Sequence, residues 1–269
     1  MTITEKRQKF RQLHEDGCFV IPNPWDIGSA RYLEHAGFKA LATTSAGFAF
    51  TRGRLDGKMS LQEIVSHAAE MAQATKLPLN VDFENGFAHG GAELAANIRR
   101  CADIGAAGIS IEDNAGDRLY DFDEAAERIR TAVQALEGTG VTLIARSEGM
   151  LTGWTDLAET IRRLQAFAEA GADCLYAPGL ASETEVRAVV SACAPKPVNV
   201  LVWSPGFTVP QLAGLGVRRV SVGGALAKVA WAAAMRSARE ILETGSFDSF
   251  GPLKDMEKMS DFLGSQPTV

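Results

Sequence analysis

The sequence predicts an α/β fold, a (β/α)8 barrel of the TIM type in a modified form. Short apolar runs alternate with amphipathic stretches eight times, and no break in composition interrupts them. Most of these runs are apolar on both faces, as strands of a sheet that is covered on both sides must be. One helix-to-strand connection also recurs four times. Eight such alternations favour a closed barrel over an open doubly wound sheet.

The recurring connection joins the end of a helix to the start of a strand. A small residue and a glycine follow the last helical turn, and a short β-branched run comes next. Glycine at this point adopts the left-handed conformation that ends a helix. The four copies read LEHAGFKALATTS, CADIGAAGISIED, FAEAGADCLYAPG and LAGLGVRRVSVGG.

The individual elements can be assigned from the amino terminus onward. A polar helix, MTITEKRQKFRQLHEDG, comes first and lacks the apolar segment of a signal peptide. Amphipathic stretches such as LQEIVSHAAEMAQA and DLAETIRRLQAFAEA separate the strands that follow. The predicted strands are FVIPN (19–23), ALATTS (40–45), LNVDF (79–83), GISIED (108–113), TLIARS (142–147), CLYAP (174–178), VNVLV (198–202) and RVSVG (219–223).

A helical extension is expected after the eighth strand. Residues 225–243 form a helix rich in small and apolar residues, and the tail after Gly245 predicts one or two further helices. We therefore predict a single barrel domain over residues 1–269, with its C-terminal extension beginning at residue 225. Small apolar helices pack well against a second subunit, although a helix buried within one chain has the same composition.

Composition excludes several classes of partner. The net charge is −6 and basic residues form no stripe, so nucleic acid is not an expected partner. No stretch approaches the ~20 apolar residues that a membrane span needs. The four cysteines are far apart and form no CxxC motif, which is typical of reduced thiols. We expect a cytoplasmic protein that acts on a small molecule.

Acidic side chains gather at the predicted carboxyl ends of neighbouring strands, where barrel enzymes have their active sites. Asp82 and Glu84 end the third strand, Glu112 ends the fourth and Arg146 ends the fifth. Residues two apart on a strand face the same side, so Asp82 and Glu84 are expected at one ion. Crowded carboxylates repel unless a cation lies among them. Oxygen ligands suit Mg²⁺, or alternatively Mn²⁺.

Other rim residues are candidates for binding a substrate beside that ion. The Arg146 guanidinium suits a carboxylate held through two hydrogen bonds. Backbone amides of the small-residue turn Thr44, Ser45 and Ala46 suit a second carboxylate or a carbonyl oxygen. Asn199, within the seventh strand, is a further candidate for substrate binding. Tyr176, at the end of the sixth strand, is either a proton donor or a packing residue.

These motifs resemble the phosphoenolpyruvate mutase/isocitrate lyase superfamily, from PNPWDIGSARYLEHAGFKAL to VSVGGALAKVAWAA. The family's motif DxDxG is similar to DFENG here, GxxIED to GISIED, and IARTDA to IARSEG. The resemblance implies a modified barrel, commonly tetrameric, whose eighth helix is swapped between paired subunits. It also implies Mg²⁺ at the strand ends and α-keto or α-hydroxy acid substrates.

The resemblance also implies a role for each matching residue. Asp82 matches the direct Mg²⁺ ligand, while Glu84, Glu112 and Asp56 match acids that hold the waters of the ion. Arg146 matches the arginine that binds the substrate carboxylate. The turn from Thr44 to Ala46 matches the segment that binds the other end of the substrate.

Two departures from the family pattern limit the reactions to be expected. The second aspartate of the carboxylate motif is Glu84 here. The segment after the fourth strand, EDNAGDRLYDFDEAAERI, has neither the cysteine nor the histidine of the lyases' Lys-Cys-Gly-His loop, and it lacks the longer loop of the phosphonate enzymes. These departures argue against isocitrate lyase, methylisocitrate lyase and phosphonopyruvate mutase activities.

The expected function is a Mg²⁺-dependent carbon–carbon lyase acting on a small α-keto or α-hydroxy dicarboxylic acid through a metal-stabilised enolate. Oxaloacetate decarboxylation is one example, with Arg146, Glu112 and Tyr176 as candidate catalytic residues. Water, Tyr176 or Arg118 would return the proton to carbon. The alternatives are a phosphonopyruvate hydrolase or mutase and a non-catalytic keto-acid-binding protein. A homo-oligomer, either a dimer or a tetramer, is expected.

Overall fold

The computed structural model describes residues 1–256 and 258–263, and eight parallel strands form its centre. All eight predicted strands are present, each shorter than predicted. Their spatial order is β1-β8-β7-β6-β5-β4-β3-β2, which is the order of a barrel. The strands are β1 (Phe19–Ile21), β2 (Leu41–Ala42), β3 (Leu79–Asp82), β4 (Gly108–Glu112), β5 (Thr142–Arg146), β6 (Cys174–Tyr176), β7 (Val198–Leu201) and β8 (Arg219–Ser221).

The barrel closes between its first two strands. β1 pairs with β8 in the register Phe19↔Arg219, and β2 pairs with β3. The backbone N–H of Ala42, at the end of β2, donates to the carbonyl oxygen of Pro22, which follows β1, over 3.1 Å. This hydrogen bond joins the two edges of the sheet, so the predicted (β/α)8 architecture is confirmed.

Helices alternate with the strands around the outside of the barrel. Several begin with a side-chain cap, as at Thr2, Ser60 and Ser182, each of which is paired with a glutamate three residues later. The helices are α1 (Ile3–Leu13), α2 (Ile27–His35), α3 (Ser45–Thr51), α4 (Leu61–Ala74), α5 (Gly91–Asp103), α6 (Phe122–Leu136), α7 (Gly149–Thr152), α8 (Leu157–Glu169), α9 (Glu183–Cys193), α10 (Val209–Gly214), α11 (Ala225–Thr244) and α12 (Met259–Leu263).

The four recurring connections have the predicted conformation. The glycine of each copy has a positive φ, a backbone region that other residues rarely adopt. These glycines are Gly37 (φ 92°), Gly105 (φ 95°), Gly171 (φ 107°) and Gly216 (φ 89°). The short αβ connections predicted from the sequence are therefore confirmed.

Two layers of apolar side chains surround the strands. The larger cluster fills the space between the strands and the helices, from Phe48 to Val220. A smaller cluster lies inside the barrel, where Phe10 of α1 packs near Phe19, the first residue of β1, and against Gly108, the first residue of β4. The four cysteines are free, and three of them are buried. In the described part of the chain, no helix is long and apolar enough to cross a membrane.

The helix that follows β8 is α11, which starts at Ala225. Of its twenty residues only Ala227 is buried, whereas Trp231, Met235 and Leu242 are exposed. A 3₁₀ helix (Asp248–Asp255) and α12 follow, which confirms the predicted tail helices. Phe262 of α12 packs edge-to-face on Tyr32 of α2. Residue 257 and the last six residues of the predicted domain, 264–269, lie outside the described residues.

The buried histidines predict a loss of stability in acid. Burial lowers the pKa of His14 to about 3 and that of His67, which stacks on Phe48, to about 4. The unfolded chain, with a His pKa of about 6.5, therefore binds more protons than the folded chain below that pH. We expect His67 alone to cost about 1 kcal/mol of folding free energy between pH 7.5 and 5.5. Urea unfolding of wild type and His67→Phe at both pH values measures this; equal losses in the two proteins would contradict it.

Candidate active site

Three neighbouring strands deliver the central charged groups to the carboxyl end of the barrel. Asp82 ends β3, Glu112 ends β4 and Arg146 ends β5, with Glu112 directly opposite Arg146 in the sheet. The Nη1 atom of Arg146 lies 3.6 Å from Oδ1 of Asp82 and 3.5 Å from Oε2 of Glu112. Its Nε donates to Oε1 of Glu148. Two of the acids named from the sequence, Asp82 and Glu112, therefore lie beside Arg146.

Glu84 lies in the same region, but it belongs to a turn after β3 and not to the alternating faces of the strand. The sequence pattern predicts Asp82 and Glu84 on one strand face, yet β3 ends at Asp82 and Glu84 has a left-handed φ of 46°. The carbonyl oxygen of Glu84 accepts the N–H of Glu112 over 2.9 Å, and the Gly86 N–H closes a turn onto Phe83. The tight turn thus places Glu84 at the rim, where a left-handed non-glycine residue often serves function.

Hydrogen bonds from α5 and α6 support the turn from residue 83 to residue 87. Asn97 of α5 donates to the carbonyl oxygens of Gly86 and Phe87, over 3.0 and 3.2 Å. Buried Arg128 of α6 donates to the carbonyl oxygen of Asn85. These contacts hold the strained turn, and with it Glu84, in a fixed position.

Gly86 provides a direct test of this turn. Its φ is +80°, and a Cβ placed there would clash with Cδ1 of buried Leu94. Gly138 has a similar φ of +73° with no atom within 4 Å, so it is a matched control. We expect Gly138→Ala to cost about 1 kcal/mol of unfolding free energy and Gly86→Ala about 2–3 kcal/mol, measured by urea unfolding. Equal costs would show that the packing at Leu94 is unimportant.

A cavity of about 380 Å³ opens beside these groups. Its wall combines acidic, amide and basic side chains from the loops after β2, β3, β4 and β5. The lining residues are Ser45, Asp56, Gly57, Lys58, Glu84, Asn85, Glu112, Asn114, Gly116, Arg146, Glu148 and Leu151. Its volume lies in the range of cavities that bind small molecules.

The turn after β2 contributes donors to this site. Thr44 is the N-cap of α3, and its hydroxyl accepts the N–H of Gly47 over 3.2 Å. The Ser45 N–H donates to Oδ2 of Asp82 over 3.3 Å, and the Ser45 side chain is hydrogen-bonded to Asp56. The predicted substrate-binding turn and the predicted metal-site acids are therefore connected to one another.

The crowded carboxyl groups have unusual proton affinities. Burial, reinforced by Asp82 and Asp56, raises the pKa of Glu84 to about 8. Burial also raises the pKa values of Glu112, Glu148 and Asp56, although Arg146 opposes the shift in all three. Perturbed pKa values of this kind, caused by burial among neighbouring acids, cluster at functional sites.

The donor atoms fit a hard divalent cation. They are carboxylate oxygens, and Oε1 of Glu84 is buried without a hydrogen-bond partner. Among the residues described, no three His, Cys, Asp or Glu side chains converge to enclose an ion directly. Waters would therefore complete the coordination of an ion here, as Mg²⁺ favours.

Tyr176 and Asn199 lie below this cavity. Tyr176 lines a smaller cavity of about 30 Å³ inside the barrel, together with Asp82, Arg146 and Arg219. The Arg146 guanidinium lies 5.2 Å above the Tyr176 ring, and the Tyr176 side chain is hydrogen-bonded to Ser221. Asn199 is fully buried, donates to Ser221 over 2.9 Å and lines neither of these two cavities.

Arg118 and two further acids have other surroundings. Arg118 lines a separate surface cavity beside Trp154. Asp26 is the N-cap of α2, and its side chain accepts the N–H of Ser29. Asp113 accepts the N–H of Glu148 over 2.8 Å and pairs with buried Arg163, which is a structural arrangement.

Two site residues had no assigned role in the sequence. Glu148 is buried, binds Arg146 and lines the cavity. Its position two residues after Arg146, at the same strand end, is the signal that could have identified it. Lys58 lines the cavity from the loop after α3, and no pattern in the sequence marks it.

The fold and site define a (β/α)8 barrel enzyme with an acid-rich active site at the carboxyl ends of its strands. The chain matches the family described as Phosphoenolpyruvate phosphomutase over residues 10–242. It therefore belongs to the phosphoenolpyruvate mutase/isocitrate lyase superfamily, as its motifs predict, and it is a lyase of that superfamily.

Three similar proteins show the range of this superfamily. A crystal structure described as a candidate lyase/mutase from Burkholderia cenocepacia is 42% identical, with a TM-score of 0.93, and covers 98% of both chains. The 2-methylisocitrate lyase of Bacillus subtilis is 30% identical over 66% of this chain and 62% of its own length. The oxaloacetate decarboxylase of Bradyrhizobium diazoefficiens is 28% identical over 71% and 69%.

Proposed function

We propose that the protein is a Mg²⁺-dependent carbon–carbon lyase acting on a small α-keto or α-hydroxy dicarboxylic acid, with oxaloacetate decarboxylation as the leading reaction. The observation that carries this proposal is the convergence of Asp82 and Glu112 on Arg146, beside a polar cavity that Glu112 and Arg146 line. The similarity to an oxaloacetate decarboxylase supports it.

The acids of the site would hold the ion. Asp82 is the proposed direct ligand, and Glu84, Glu112 and Asp56 are proposed to hold its waters. When bound, Mg²⁺, or Mn²⁺ in its place, supplies positive charge beside the carbonyl oxygen on which electrons collect during bond cleavage.

Arg146 is proposed to bind the carboxylate next to the carbonyl group. Its Nε atom donates to Glu148, and its Nη1 atom lies within 3.6 Å of Asp82 and Glu112, so these acids orient the guanidinium. A guanidinium oriented in this way binds a carboxylate with little loss of side-chain entropy. The N–H of Ala46, in the first turn of α3, is proposed to donate to the carbonyl oxygen.

Water is the proposed source of the proton that returns to carbon. The described residues that line the cavity include neither cysteine nor histidine. The Tyr176 hydroxyl is hydrogen-bonded to Ser221 below the cavity, and Arg118 lines a different one. Glu112 is proposed to hold a water of the ion at the point where cleavage occurs.

A two-substrate assay tests this function. Metal-free protein is incubated with either oxaloacetate or phosphonopyruvate, with and without Mg²⁺, and the release of pyruvate and phosphate is followed. We expect Mg²⁺-dependent pyruvate formation from oxaloacetate alone. Phosphate release from phosphonopyruvate without loss of oxaloacetate would instead establish a carbon–phosphorus hydrolase. Thermal stabilisation by both acids without product would indicate a non-catalytic binding protein.

A homo-oligomer, either a dimer or a tetramer, is proposed to form through α11. Trp231, Met235 and Leu242 lie on one exposed stripe, because an α-helix repeats every 3.6 residues. Packing this stripe on a second subunit removes it from water. We expect Met235→Glu to lower the mass measured by analytical ultracentrifugation, and Arg236→Glu, off the stripe, to leave it unchanged. A wild-type monomer would contradict the proposal.

A further inference from the structure

Lys58 is the second basic residue of the active-site cavity. Arg146 and Lys58 are the two cations among the described residues that line it. Arg146 is surrounded by Asp82, Glu112 and Glu148, whereas the described structure records no ion pair or hydrogen bond for the Lys58 ammonium. Lys58 is therefore the basic group that is not committed to the protein's own carboxylates.

The backbone on both sides of Lys58 is held in place. Two residues before it, Asp56 is hydrogen-bonded to the Ser45 side chain. Directly after it, Met59 is buried in the core, and Ser60 caps α4. An exposed side chain on such a fixed segment needs only its own rotamers to reach into the cavity, so binding a ligand costs little loop entropy.

The two cations reach the cavity from different parts of the barrel. Lys58 follows β2 and Arg146 ends β5, while β3 and β4, with Asp82 and Glu112, lie between them. Both side chains line the same cavity of about 380 Å³, a volume that can hold a four-carbon acid between them. A molecule held by Arg146 across β3 and β4 therefore extends toward Lys58.

We propose that Lys58 binds the second acidic group of the substrate, on carbon 3 of the keto acid, and so selects dicarboxylates over monocarboxylates. This inference rests on the proposed function, because it assumes that Arg146 binds the first carboxylate. A carboxylate and a phosphonate share this chemistry, and the experiment below separates them.

The proposed reaction gives Lys58 a distinctive kinetic role. During decarboxylation the electrons of the bond between carbons 3 and 4 form the enolate, the distal carboxylate leaves as CO₂, and a proton from water adds to carbon 3. The distal group loses its negative charge as the bond breaks, so Lys58 stabilises bound oxaloacetate more than the transition state. An interaction of this kind lowers KM without raising kcat.

Steady-state kinetics with Mg²⁺ and oxaloacetate test the assignment. We expect Lys58→Met to raise KM about tenfold or more while kcat stays the same or increases, and Lys58→Arg to restore KM. Lys76→Met, an exposed lysine at the opposite end of the barrel, is the matched control and should leave both unchanged. A fall in kcat at constant KM, or no change at all, would overturn the proposal.

Calorimetry separates this inference from the proposed function. With Mg²⁺ present, we expect Lys58→Met to weaken the binding of phosphonopyruvate about tenfold or more, whereas oxalate, which has no group on a third carbon, should bind equally to both proteins. If wild type turns over no keto acid, the proposed function fails. The difference in phosphonopyruvate affinity between wild type and Lys58→Met then tests the role of Lys58 by itself. An equal loss of affinity for phosphonopyruvate and for oxalate would indicate general damage to the site and overturn the inference. If Lys58→Met has a lower affinity for oxaloacetate but an unchanged affinity for phosphonopyruvate, Lys58 binds a carboxylate and not a phosphonate.

Discussion

Asp82→Asn is expected to lower kcat/KM for the keto acid by about 10³-fold, because it removes the negative charge of the proposed direct ligand of Mg²⁺. Asp82 also accepts the N–H of Ser45 and lies 3.6 Å from Arg146, so its carboxylate connects the ion, the β2 turn and the substrate-binding arginine. Asparagine preserves the shape of the side chain. We therefore expect the fold to survive and Mg²⁺ binding, measured by calorimetry, to be lost.

Asp16→Asn is the control for this change. Asp16 is fully exposed in the turn before β1, at the other end of the barrel, so its replacement should alter neither turnover nor Mg²⁺ affinity. Turnover by Asp82→Asn at the wild-type rate would show that the acid cluster does not bind the essential ion.

Arg146→Met is expected to lower kcat/KM by about 10²–10⁴-fold, since it removes two charge-assisted hydrogen bonds to the substrate carboxylate. The loss of Arg146 also leaves Glu112 and Glu148 without their cation. Burial then disfavours their charged forms, so we expect the unfolding free energy to fall by about 3 kcal/mol in the absence of metal. Urea unfolding and steady-state kinetics measure the two effects separately.

Arg146→Lys and Arg130→Met complete this experiment. Lysine keeps the charge but lacks the planar pair of donors, so we expect it to recover stability more than activity. Arg130 forms an exposed ion pair with Glu127 on α6, and its loss should change stability by less than about 1 kcal/mol. Full activity of Arg146→Lys would contradict binding of the substrate carboxylate through two hydrogen bonds from Arg146.

Most of the fold could be predicted because local signals and burial agree. Glycines such as Gly105 end helices, and buried runs such as GISIE follow them, so the element order needed no tertiary information. The predicted strands extend past the observed strand ends. Polar residues at the rim follow the apolar run directly in the sequence, but they no longer pair within the sheet. Asp113 illustrates this: it follows β4 and serves as a structural acceptor.

The site was only partly predictable, because loop conformation decides it. The alternation of strand faces stops at Asp82, and the left-handed backbone of Glu84 is not visible in the sequence. Asn199 sits too deep in the barrel to line the cavity, which strand position alone could not reveal. Lys58 lines the cavity from a loop in which Asp56 is hydrogen-bonded to Ser45, a contact that the sequence does not reveal. Distances of this kind come only from the tertiary structure.

A crystal of the protein grown with Mn²⁺ and oxalate would test the central claim, that acids from neighbouring strands gather around one divalent ion beside Arg146. The anomalous difference map is expected to show one peak next to Asp82, with oxalate between that ion and the Arg146 guanidinium. A map with no peak at the strand ends, or with oxalate away from Arg146, would contradict the proposed enzyme.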